Sequence, residues 1–169
     1  MEEGKIYLDE EGYKQYLNDI ENLKSQLEYL KKEKTSAHAS SEANNWHDNS
    51  AMEMLRNEEY RITKMLRDML DKMNKIVIVD KAQSDNEVID INDIVSIHMQ
   101  YNDEDLGTKY YKLVATERPN INSVVNEVSL NSPLGKSIYL KNVGYSGSYK
   151  VLNNTINFSI ISKNNGLKL

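Results

Sequence analysis

From Tyr13 onward, apolar residues recur in alternating steps of three and four: Tyr13, Tyr16, Ile20, Leu23, Leu27 and Leu30, with the spacing carried on through Lys34 to Ala37. This is an a/d seam, the narrow stripe that a coiled-coil helix buries against a partner helix. After a break at residues 39–50, a second run repeats the spacing: Met52, Leu55, Glu59, Ile62, Leu66, Met69, Met73 and Ile76. Two seams of nearly equal length predict an antiparallel helical hairpin. Asp9 is placed to cap the first helix, with Glu10 and Glu11 in its first turn, where the helix dipole favours acids. Ser50 and Glu53 have capping-box spacing for the second. A first helix from about Glu10 to His38 spans roughly 43 Å at 1.5 Å per residue.

The break itself reads Ala-Ser-Ser-Glu-Ala-Asn-Asn-Trp-His-Asp-Asn-Ser. A turn between helices closes in two to five residues, so a dozen residues at the tip suggest that it reaches into something. It carries the chain's single tryptophan, Trp46, together with Glu42, His47 and Asp48. Each has a plainer role as well. Trp46 can cap the apolar end of the hairpin or anchor on a partner, as tryptophans do at binding hot spots. Asp48 can cap the second helix, and His47 can simply be solvated. Met52, Met54, Met65, Met69 and Met73 fall mostly on or beside the seam and read as core packing. Glu59 on the seam calls for a paired charge that fixes register.

From residue 76 the period changes from helical to β. Ile76–Val79, Val88–Ile91, Ile94–Tyr101, Lys109–Thr116, Glu127–Leu130, Gly147–Leu152 and Thr155–Ile161 are candidate strands. A polar turn is expected around residues 102–107, and Asn153-Asn154 is expected as a two-residue turn. Ser132 and Pro133 have the N-cap and N1 pattern of one helix running to Leu140. The Asn-rich end from Lys163 to Gly166 reads as a loose tail. The fold class is therefore α+β: a hairpin over residues 1–78, then residues 79–169 as an antiparallel sheet with one covering helix.

Composition narrows the functions open to such a chain. No apolar run approaches the roughly 20 residues of a membrane span, and the start of the chain lacks the pattern of a secretory signal. There is no cysteine, which excludes disulfides, a thiol nucleophile and cysteine zinc sites. A cytoplasmic protein without membrane contact is the expectation. The net charge is −5, and neither half is basic, so any nucleic-acid contact is local and shared with a larger partner. P-loop, dinucleotide, zinc-helix and catalytic-triad patterns are absent.

In its order of parts, and in three segments, the chain resembles the bacterial Gre transcript-cleavage factors. Leu8-Asp-Glu-Glu-Gly-Tyr-Lys-Gln-Tyr-Leu17 is similar to that family's entry into its first helix. Asp48-Asn49-Ser50, with Arg56 beyond it, resembles the tip and second-helix arginine. Val128-Ser-Leu-Asn-Ser-Pro-Leu-Gly-Lys136 resembles the family's strand-to-helix turn. The resemblance implies an FKBP-like C-terminal domain that docks on RNA polymerase through Asn131, Ser132, Pro133 and Leu134. It also implies a coiled coil entering the secondary channel, where tip acids help hold Mg²⁺ at the polymerase's active site for hydrolysis of backtracked RNA. On that basis Asp48 is the metal-directed acid, with Asn45 or Glu42 beside it. Trp46, His47 and Asn49 are tip contacts, and Arg56 faces the 3′ end of the nascent RNA.

The tip departs from the family's Asp-Leu-Ser-Glu-Asn-Ala-Glu-Tyr. Aligned through Asn49, the first acid is Asn45, the acid after the Asn-Ala pair is Ala51 and the tyrosine is Met52. An amide in place of a carboxylate removes a charge from a site that attracts a dication, so dication affinity should fall. The expected function is a monomeric, non-enzymatic factor that binds RNA polymerase, holds no cofactor when free, and modulates cleavage or elongation. The alternatives are a cleavage-deficient polymerase inhibitor, a peptidyl-prolyl isomerase of FKBP type, and a coiled-coil adaptor whose seam pairs between chains.

Overall fold

The computed structural model describes residues 2, 4–41, 50–81, 87–102, 104–123 and 125–164. The elements in order are β1 (Ile6–Leu8), α1 (Glu10–Ser41), α2 (Ser50–Met73), β2 (Ile76–Ile78), β3 (Ile94–Tyr101), β4 (Glu104–Val114), β5 (Asn126–Ser129), α3 (Pro133–Ile138), β6 (Ser146–Val151) and β7 (Asn154–Asn164). They form two compact units, Lys14–Lys75 and Met1–Tyr13 with Ile76–Leu169. The second unit thus includes β1 and β2, which the sequence division at residues 78 and 79 placed with the hairpin. The reason is parallel pairing of Ile6, Tyr7 and Leu8 with Ile76, Val77 and Ile78.

In the hairpin unit the central layers of the predicted a/d seam are buried, whereas Ile76, expected at its end, belongs to β2. Tyr16, Ile20, Leu23, Leu30 and Ile62 are buried, and Leu27, Leu55, Leu66 and Met69 pack against Leu23, Leu30 and Ile62. Two polar contacts interrupt the apolar seam and set its register. The Tyr16 hydroxyl donates to the Met69 carbonyl at 2.7 Å, and Lys34 is ion-paired with Glu59 across the helices. Not every methionine is core, because Met54 and Met65 are exposed.

The other unit is built on a five-stranded sheet in the order β5-β4-β3-β7-β6. Three of its pairings are antiparallel, but β5 lies parallel to β4. The sheet is therefore antiparallel, as expected, except at one edge. The cause is the long return between β4 and β5, which brings the chain back in the same direction. One face of the sheet carries Val95, Ile97, Met99, Leu113, Phe158 and Ile160, which form one core with Leu134 and Ile138 of α3. Alternation along β3 sends Ser96, His98 and Gln100 to the opposite face.

Three local readings change in this unit. Val88–Ile91 is not a strand; Val88 forms a single bridge to Asn142, while Ile89 and Ile91 are buried in the core. The β3–β4 pairing continues to Tyr101 opposite Glu104, so the turn is tighter than the six residues expected. Lys163 and Asn164, read as the start of a loose tail, belong to β7. Lys163 Nζ donates to Asp93 Oδ2 at 2.8 Å, and Lys81 Nζ to Asp93 Oδ1 at 2.8 Å. Burial alone would raise the Asp93 pKa. The two lysine hydrogen bonds, one from the Asp90 N–H and the Lys81 charge outweigh it, and the carboxyl lies below its ordinary value.

Candidate functional site

The hairpin offers its joining segment. α1 ends at Ser41 and α2 begins at Ser50, so Glu42, Asn45, Trp46, His47, Asp48 and Asn49 lie outside the described residues. Arg56 is exposed in the second turn of α2, roughly 9 Å along the axis from Ser50 at 1.5 Å per residue. Three pairs of arm charges are satisfied locally. Glu21 pairs with Lys24, Glu28 with Lys31 and Glu58 with Arg61, all at i,i+3 spacing. Such pairs form an ordinary solvated face. Among the described residues, no group of three or more His, Asp or Glu side chains could hold a metal ion.

The turn from Asn131 to Leu134 is built mostly for holding the fold. Ser132 caps α3, its hydroxyl accepting from the Gly135 N–H at 3.0 Å, and Pro133 occupies the first turn as predicted. Gly135 lies against β5, where a Cβ would come within 2.1 Å of the Ser129 carbonyl oxygen. Leu134 is 7% exposed and belongs to the core. The Asn131 side chain clamps β1, accepting from the Tyr7 N–H at 2.7 Å and donating to the Tyr7 carbonyl at 2.9 Å. Pro133 and Lys136 are the exposed side chains of this stretch. A partner meeting this turn thus meets Pro133 and Lys136, while Asn131 and Leu134 set the backbone from beneath.

The sheet face opposite α3 holds a shallow groove that the sequence reading did not single out. Its volume is about 490 Å³, and its polar lining comes from His98, Gln100, Ser146, Ser148, Asn157 and Ser159. His98 Nδ1 lies 3.3 Å from Thr108 Oγ1, and its Nε2 lies 3.4 Å from Asp105 Oδ1. The Ser146 and Ser159 hydroxyls bond each other at 2.7 Å. The polar alternation of Ser96, His98 and Gln100 in β3 was the available signal. Hydroxyls and amides of this kind bind by hydrogen bonding. Gly147 and Phe158 also line the groove; Phe158 is largely buried, its ring centroid 6.1 Å from that of Tyr145 and 6.0 Å from that of Tyr149.

No protein-family model matches the chain. It is 30% identical over 113 residues to the transcription elongation factor GreA of Christiangramia forsetii, covering 62% of this chain and 68% of that protein. With the transcription elongation factor GreA of Thermosipho melanesiensis it shares 27% identity over 145 residues, 85% of this chain and 86% of the relative. Among solved structures it is similar to GreA factor homolog 1 of Thermus thermophilus, with 19% identity, 95% and 99% coverage, and a TM-score of 0.40. The GreA/GreB factor of Nitrosomonas europaea aligns at 12% identity with a TM-score of 0.37, covering 94% and 97%.

Proposed function

The chain belongs to the GreA family of transcription elongation factors, and we propose that it acts by binding bacterial RNA polymerase and inserting its helical hairpin into the secondary channel. The observation that carries this reading is the hairpin with its closed seam. The seam residues Leu23, Leu27, Leu30, Leu55, Ile62, Leu66 and Met69 pack between α1 and α2, which leaves a slender two-helix rod with Tyr29, Met54, Tyr60, Met65 and Leu70 on its outer faces. α2 alone has 24 residues, about 36 Å at 1.5 Å per residue. Such a rod delivers its tip into a confined space without needing a further partner along its length. On this reading the protein acts in the cytoplasm, as a monomer.

Within the complex, Asp48 is the tip acid, assisted by Asn45 or Glu42, and Trp46, His47 and Asn49 contact the channel wall or the RNA end. Arg56 meets a phosphate of the nascent RNA, a contact that positions rather than specifies. These oxygens are the hard donors that Mg²⁺ takes, and a shared Mg²⁺ would supply charge neutralisation at the polymerase's own active site. Hydrolysis belongs to the polymerase; this chain is a factor and not an enzyme. Pro133 and Lys136, on the turn that Asn131, Ser132 and Leu134 shape, form the second attachment.

A second reading is favoured by Asn45 and Ala51, which stand where the family pattern has acids. With less charge at the tip, the hairpin occupies the channel and slows elongation instead of promoting cleavage. RNA release from a defined backtracked elongation complex, titrated with Mg²⁺, separates the two. Faster release that Asp48→Ala abolishes supports metal recruitment. Slowed extension without faster release supports the inhibitor, and no effect together with no polymerase binding removes both.

A further inference from the structure

The loop joining β6 to β7 consists of Leu152 and Asn153, between the paired residues Val151 and Asn154. Leu152 adopts φ of +55°, a left-handed conformation that suits Gly, Asn and Asp and is uncommon for leucine. Two asparagines follow it, yet the turn does not use them as a pair. The register is imposed from within the sheet. Phe158 pairs with Gly147, where a Cβ would come within 3.2 Å of the ring and 2.9 Å of Tyr145. Sliding the turn onto Asn153-Asn154 would bring Tyr149 opposite Phe158 and lose that slot. Position 152 must therefore be left-handed, but nothing in the fold requires a leucine there. The Leu152 side chain is 93% exposed and the neighbouring Val151 42%. It gains no burial for its strain, and an asparagine would suit the turn better.

The tip is also presented outward. β3 ends with Tyr101 opposite Ile156, and the β6–β7 ladder runs two rows further, through Lys150–Thr155 and Val151–Asn154. That is an overhang of roughly 7 Å at the usual strand rise. The Tyr101 hydroxyl braces it by donating to Asn154 Oδ1 at 2.9 Å. At the same end of the sheet, the β3–β4 hairpin carries exposed Glu104 and Asp105. Against them Lys150 is a single base, on a chain of net charge −5. An acidic flank repels nucleic acid and anionic lipid, which leaves a protein cleft, apolar within and basic at its rim, as the matching surface.

We propose that Leu152, supported by Val151, is an apolar anchor that seats in such a cleft on the surface of RNA polymerase. It is a contact separate from the hairpin tip and from the Asn131–Leu134 turn, and it rests on the polymerase-binding reading above. The test is equilibrium binding of the full chain to cognate core RNA polymerase, with thermal melts of each variant alongside. Leu152→Asn is expected to weaken binding by about tenfold or more, the loss of an anchor of about 1.4 kcal/mol, while its Tm is unchanged or higher. Leu152→Met, which keeps the apolar group and the strained backbone, is expected to bind within about twofold of the native chain. Native-like binding by Leu152→Asn overturns the anchor and leaves polymerase binding intact. A lowered Tm for Leu152→Asn overturns it too, by showing that the leucine serves folding. Absence of polymerase binding by the native chain overturns both readings. Self-association of the native chain that Leu152→Asn abolishes assigns the tip to a second copy, and so overturns the polymerase assignment.

Discussion

In the hairpin, the residues that α1 buries lie three or four positions apart, and a short segment of sequence reports which they are. In the sheet unit, a buried carboxylate near the start of β3 is held by lysines from beyond β2 and from the far end of β7. The register of the last hairpin is set there by a ring opposite a glycine. The first region is a repeated local code, tolerant of change at any one layer. The second depends on a few unique contacts, each satisfied by residues far apart in sequence. A comparable loss of contact should therefore act gradually in the hairpin and sharply in the sheet unit.

The sharpest way to break the contrast is Asp93→Ala. Removing the carboxylate leaves the nearly buried Lys163 without its counter-ion, bonded only to the Val88 carbonyl, and losses of this kind cost about 3–5 kcal/mol. Denaturant unfolding followed by a probe of the sheet unit measures this. The same side chain predicts a pH dependence. The Asp93 pKa in the folded chain is lowered, so its stabilisation is fully present above the ordinary carboxylate pKa. That stabilisation is lost as pH falls through the folded value. The native chain should therefore lose stability on acidification more steeply than Asp93→Ala; parallel acid titrations would remove the cluster from this role.

Ile62→Ala tests the other side. It truncates the most deeply buried residue of α2, and large-to-small changes at such sites cost about 2–5 kcal/mol. A value at the low end is expected, because flanking Leu55, Leu66 and Met69 can close around the gap. Helix loss by circular dichroism reads it, and a cost as large as that of Asp93→Ala would contradict a forgiving seam. Smaller again is Lys34–Glu59. A double-mutant cycle with Lys34→Met and Glu59→Gln should give a coupling of about 0.5–1 kcal/mol. Its main effect is on register, so the charge-free pair should show exchange-broadened hairpin resonances, and sharp ones would mean that Tyr16 suffices.

Against these outcomes, what was legible in the chain divides along the same line. Asp9 does cap α1, its carboxylate accepting from the Gly12 N–H at 2.7 Å, and Ser132 does cap α3, because both signals act within one helical turn. The seam from Tyr16 to Leu30 was readable for the same reason. Strands β3, β6 and β7 were found to within a few residues from their composition. β1 was missed, because three residues make a strand only with Ile76–Ile78 beside them. Of the expected site residues, those of the tip from Glu42 to Asn49 lie outside the described residues, and those of the Asn131–Leu134 turn are placed by the fold. That Asn131 and Leu134 face inward, leaving Pro133 and Lys136 outside, came from the fold.

Sequence was enough for the two helices of the hairpin, the middle of their seam and the caps at Asp9 and Ser132, since each depends on hydrogen bonds and side-chain spacings that close within a turn or two of chain. The tertiary structure alone decided the parallel edge at β5, the pairing of β1 with β2, the recruitment of Lys163 to Asp93 and the placing of Leu152 at the apex of its turn. In each of these, packing between distant residues outweighs a local preference. A buried charge must find its counter-ion, and a ring must find room, wherever along the chain these occur.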